Sequence, residues 1–194
     1  MKRWSLWIGV LLVPLGWSAA ALGGMTGHMA GHMIAVAVAA PLIAWGLTGG
    51  TLDAAKAWPR TVTPLAMSLI ELLVVWAWHA PAVRAAADAS SLLLGLEQAC
   101  FLIAGLLLWS AVLGTGRERR ASGVGALLLT SMHMTLLGAL VGLAPRPLYP
   151  HLSHDLPDQQ LGGVVMLLVG AASYFIGALA MLATLLRNAE DARA

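Results

Sequence analysis

The sequence predicts an all-α, polytopic helical bundle embedded in a membrane, and three observations carry that expectation. Only 10% of the 194 residues are charged and 59% are hydrophobic, whereas a soluble domain carries about 25% charged residues. Six windows, near residues 4–22, 28–47, 62–80, 92–113, 122–143 and 161–186, are apolar enough and long enough for a bilayer, which needs about 20 residues per helix. None alternates as a barrel strand would, and backbone groups in hydrocarbon must bond within their own segment. Little chain remains for a soluble domain, so residues 1–194 read as one bundle. The net charge of +2 resides in the connecting segments and does not point to nucleic acid.

The first window opens on Lys2 and Arg3, runs apolar from Leu6 to Trp17 and ends in Ser18-Ala19-Ala20-Ala21. That pattern also suits a cleavable signal peptide within residues 1–24. A retained helix is the favoured reading; cleavage would leave five spans in unchanged orientation. The second window carries Pro41 and the first carries Pro14, and both prolines should bend their helices. Gly27 and Gly31 form one GxxxG and Gly138 and Gly142 another, and small residues let helices approach closely in lipid. Cys100, the single cysteine, reads as a small core residue.

Lys and Arg orient the bundle, since cytoplasmic loops hold the excess. Lys2, Arg3, Lys56, Arg60, Arg117, Arg119, Arg120, Arg187 and Arg193 fall on one side, and only Arg84 and Arg146, two of the eleven cations, fall on the other. This places both termini in the cytoplasm of a multi-pass cell-membrane protein. All eight tryptophans lie near window ends, as an aromatic belt would.

With orientation set, depth is readable. His28 sits at the outer mouth of the second helix with His32 one turn deeper, and His79 ends the third helix on the outer side. Glu97 lies one to two turns below the outer start of the fourth helix, and His151, His154, Asp155 and Asp158 lie in or beside the last outer loop. The cytoplasmic loops hold no histidine. At about 100° per residue, Met25, Met29 and Met33 form one stripe of the second helix, with His28 and His32 on the adjacent one. Gly27, Ala30 and Gly31 occupy the opposite side, free to pack on a neighbour that would bring His79 or His133. Thioether sulfur selects Cu(I), and imidazole also suits copper. The alternative is plain: methionine is adaptable core filler, and a histidine at a helix mouth often only hydrogen-bonds.

Glu71 and His133 are the deepest ionisable groups, about 13–15 Å from the outer ends of their helices. Such groups face the bundle interior with a partner, so the two are expected to approach each other, for packing or as a ligand or proton relay. Asp158 should cap its own helix, and Gln159 and Gln160 should orient the outer loop by hydrogen bonds. There is no phosphate loop, no HExxH and no GxSxG, so an enzyme is not expected.

Four segments, HMAGHMIAVAVAAPLIAWG, WAWHAPAVRAAADAS, LEQACFLIAGLLLWSAVL and PLYP followed by DQQLGGVVMLL, together resemble the multi-span CtaG-type cytochrome c oxidase assembly factors associated with caa-type oxidases. The resemblance runs in order from about residue 25 to 186. It implies assembly of a haem–copper oxidase without turnover, helping copper reach it at the outer face. It gives candidate functional positions to His28, His32, His79 and His133, and places Asp158 and Gln159 in the DQQ stretch. Where the family often has a histidine, this chain has Gln98. The implied partners are oxidase subunits, the lipid bilayer, a copper-donor protein and a second copy of the chain that could share a Cu(I) ion. Two other readings stay open: a b-type haem protein ligated by His32 with His79 or His133, and a metal-free interaction scaffold.

Overall fold

Every regular element among the described residues is a helix. The computed structural model describes residues 1–114, 116, 120–152 and 155–191, with 188–191 described for backbone alone. Arg117, Arg119, His154 and Arg193 lie outside the described residues.

Helix α1 is Lys2–Ala21. Helix α2 is Gly24–Leu47 and widens to a π-helix over Ile34–Ala39. A short α3, Ala54–Ala57, sits in the following loop. Next come α4, Pro64–Trp78, and α5, Pro81–Asp88. Helix α6 is Ser91–Leu113 and α7 is Arg120–Gly142. Helix α8 spans Leu156–Arg187 and is π-helical over Met166–Gly170. Five of these are long and apolar enough to cross a membrane, and α4 with α5 makes a sixth, bent by 69°.

The third window, expected over residues 62–80, holds a helix of 15 residues, and the bend falls at its end. Pro81 has no N–H to continue a helix and forces the preceding residue out of the helical region. Ala80 is accordingly extended, at φ −63° and ψ 128°. Pro81 then starts α5, which leaves the line of α4 and carries Arg84 into the bundle.

Pro41 acts differently. It cannot donate to the carbonyl of Ala37, four residues earlier, and its ring crowds that oxygen. The helix widens just ahead of it instead of breaking. The freed carbonyls find side-chain donors: Ser173 Oγ donates to Ala37 O at 2.7 Å and Trp109 Nε1 to Val36 O at 3.2 Å. In a membrane interior such repairs are what make a π segment tolerable. Trp109 is therefore a buried clamp, stacked on Tyr174 with ring centroids 5.6 Å apart, and not a belt residue.

Both GxxxG pairs mediate close packing. A Cβ on Gly31 would lie 2.6 Å from Gly16 O of α1, and one on Gly138 2.8 Å from Leu167 N of α8. The glycine side of α2 thus packs on α1, which carries no histidine. His79 reaches α2 from its histidine side instead.

Candidate functional site

Three histidines meet in the third of the bundle farther from the N-terminus. His28 and His32 are one turn apart on α2, and His79 is the C-cap of α4, stopped there by the Pro81 break. Ring centroids are 5.4 Å apart for His28 and His79 and 5.3 Å for His32 and His79. Phe101 of α6 closes the floor, stacked on His32 at 3.9 Å. All four side chains are buried.

The nitrogens of this trio are the informative atoms. His79 Nδ1 lies 2.7 Å from Val75 O, which makes it the protonated nitrogen and leaves Nε2 with a free lone pair. That Nε2 has no partner, nor do His28 Nε2 and both nitrogens of His32. Buried polar atoms are nearly always hydrogen-bonded, so a group of exceptions in one place calls for a reason. Among the described residues, no group of three or more His, Cys, Asp and Glu side chains is set around a single metal position. The donors suit a soft ion chemically, but the rings would have to turn inward to share one.

An ion-pair network borders the trio. Arg84 is 1% exposed, where a lone guanidinium would be prohibitive. It donates to both carboxylate oxygens of Glu97, and to Asp88 from Nη2 at 2.7 Å and from Nε at 3.2 Å. Its Nη1 lies 3.3 Å from His28 Nδ1, and Glu97 Oε2 lies 3.8 Å from the same nitrogen. One guanidinium against two carboxylates leaves one formal negative charge beside the imidazoles. Gln98, next to Glu97, is buried with no partner for either side-chain polar atom.

The loop between α7 and α8 covers the trio. Tyr149 Oη donates to the carbonyl of His79 at 2.8 Å. Burial raises its pKa to about 12, against a smaller lowering by Arg84, so the hydroxyl keeps the proton it donates. Gln159 is fully buried and holds the loop: its Oε1 accepts from Leu148 N, and its Nε2 donates to Val141 O and Arg146 O. His151 is exposed and lines, with Pro81, Arg84, Asp88 and Tyr149, a cavity of about 20 Å³.

Other candidate residues have different surroundings. Met25, Met29 and Met33 are buried, but Met25 packs against Gly162 and Met33 against Gly170, both on α8. The thioethers of Met25 and Met33 thus face α8 while the imidazoles face α4 and α6. Asp158 does not cap its own helix, a role that Asp155 takes by accepting from Asp158 N at 2.9 Å. Asp158 instead reaches across to α2, accepting from Met25 N at 2.7 Å and Thr26 N at 3.1 Å. Gly24, at φ +73°, passes so close that a Cβ would lie 2.9 Å from Asp158 Oδ2. Only glycine combines that φ with that approach.

Glu71 and His133 are not paired. Glu71 accepts from Tyr174 Oη at 2.6 Å, and both nitrogens of His133 lack partners. The sequence reading missed Arg84, Phe101, Tyr149 and Tyr174. Two signals were present. Arg84 and Asp88 stand at i,i+4, and Tyr174 sits deep in an apolar span where its hydroxyl needs a partner.

The fold and site define a multi-span helical membrane protein with a buried cluster of histidines and ion-paired residues under one loop. Its residues 3–188 match the family of cytochrome c oxidase caa3 assembly factors, Caa3_CtaG, and the chain belongs to that family. No curated protein matches the chain. No solved structure matches it.

Proposed function

We propose that this assembly factor serves the oxidase by carrying copper, as cargo, at the outer face of the cell membrane, with both termini in the cytoplasm. The single observation behind this reading is the set of unpartnered nitrogens on His28, His32 and His79, buried together beside one net negative charge. Imidazole suits copper, and a monovalent ion would neutralise that charge. His28, His32 and His79 form the ligand set. Met25, Met29, Met33 and His133 are soft donors close by in sequence or depth that receive or release the ion. The oxidase, a copper donor and a second copy of the chain are the partners this role requires.

The test uses the purified full chain in detergent with Cu(I) and a competing chelator. The account expects one Cu(I) per chain and its loss on replacing His28 and His32 together by Leu, with membranes of that variant yielding copper-poor oxidase. Unchanged affinity and normal oxidase copper in the variant would leave only a metal-free scaffold. A Soret band in the isolated protein would point to haem instead.

A further inference from the structure

We infer that Arg84 is the positioning residue that decides whether His28 can act as a ligand, an inference that rests on the copper reading above. A guanidinium has hydrogen-bond donors and no acceptor. When Arg84 Nη1 donates to His28 Nδ1 across 3.3 Å, the neutral ring must carry its proton on Nε2. That nitrogen points among the other imidazoles without a partner, and with a proton on it it has no lone pair to give. The arrangement observed is therefore the closed one.

The open arrangement is already built in. Glu97 Oε2 stands 3.8 Å from the same Nδ1. If Arg84 withdraws toward Asp88, to which it is also bonded through Nη2 and Nε, Nδ1 can carry the proton and donate it to Glu97. Nε2 is then freed as a ligand. Ligating histidines almost always give their other N–H to a carboxylate or carbonyl in this way, and His79 already does so through Val75 O. One proton moves between the two ring nitrogens, and the ring stays neutral. The 20 Å³ cavity lies on the Asp88 side of Arg84, between it and exposed His151. It is about the size of one water, which leaves the guanidinium room for a short shift toward Asp88.

The experiment compares the full chain with Arg84→Leu combined with Asp88→Asn. That pair removes one charge of each sign and leaves Glu97 as the acceptor for the His28 Nδ1–H. Cu(I) affinity, measured by chelator competition, should rise at least about 10-fold, the lower end of what such partners of a metal ligand are worth. An affinity unchanged or lowered overturns the inference while leaving the ligand set intact. The failure of the copper reading looks different: wild-type affinity would survive replacement of His28, His32 and His79 by Leu, and that overturns both. The unaltered protein gives a readout that needs no variant to fold. Nitrogen NMR of the metal-free chain should find His28 protonated on Nε2, moving to Nδ1 with Cu(I). A proton on Nδ1 before metal is added overturns the role given to Arg84.

Discussion

Two buried polar clusters lie toward opposite faces of the bundle, and they are built on opposite rules. At the end that carries the N-terminus, Asp53 is fully engaged. It accepts from Gly49 N at 2.7 Å, Ala55 N at 3.0 Å, Lys56 N at 3.3 Å and Ser110 Oγ at 3.0 Å. It caps α3 and ties that turn to α6. At the opposite, outer end as the cation distribution orients the chain, His28, His32 and His79 leave four ring nitrogens without partners. A satisfied cluster adds stability, whereas an unsatisfied one costs it. The contrast locates structure at Asp53 and work at the histidines.

The largest effect should come from emptying the outer cluster. Replacing His28, His32 and His79 together by Leu should weaken Cu(I) binding on the order of 10³-fold, about 4 kcal/mol, as read by chelator competition. Binding within 10-fold of wild type would break the contrast at its functional end. Next, Asp53→Ala should cost about 2–3 kcal/mol of stability, because it strands the α3 N–H groups and the Ser110 hydroxyl. Unfolding by a graded denaturing detergent reports it, and Cu(I) affinity should stay as it was. The complement is His32→Leu. Both of its nitrogens are unpartnered, so an apolar side chain should change stability by no more than about 1 kcal/mol in the same assay, where a large loss would mean the ring is structural.

The smallest effect is on pH. Burial alone would raise the pKa of Asp53, but the hydrogen bonds from Gly49, Ser110, Lys56 and Ala55 outweigh it and hold the carboxyl below its ordinary value. A carboxyl lowered in the folded state contributes stability above its unfolded pKa, near about 4. That contribution is lost as pH falls through the folded value. Wild type should therefore lose stability on acidification below about pH 4 more steeply than Asp53→Asn. Equal slopes would show that Asp53 does not titrate as its hydrogen bonds require.

The outer cluster was only half legible in the sequence. Hydropathy located the five long spans and the segment that holds α4, because about 20 apolar residues are a strong signal. Helical rise brought His28, His32 and His79 to one depth, and the structure has them adjacent. The bend at Pro81, with a second helix beyond it, was not legible. Hydropathy ended the third window at residue 80, so Arg84 read as a loop charge when it is buried beside the trio with Glu97. Rotational position was legible for the glycines of α2 and misleading about their neighbour, since a wheel gives a face and not what covers it. The bond from Met25 N to Asp158 spans 133 positions, and the Tyr174–Glu71 bond spans 103. Such long-range partners follow from packing, which no local pattern encodes.

X-ray absorption at the copper edge of the Cu(I)-loaded chain bears most directly on the central claim. His28, His32 and His79 predict a nitrogen shell with imidazole outer scattering and no dominant sulfur, since Met25 and Met33 face α8. A sulfur-dominated shell, or copper that washes off before it can be measured, would contradict the account.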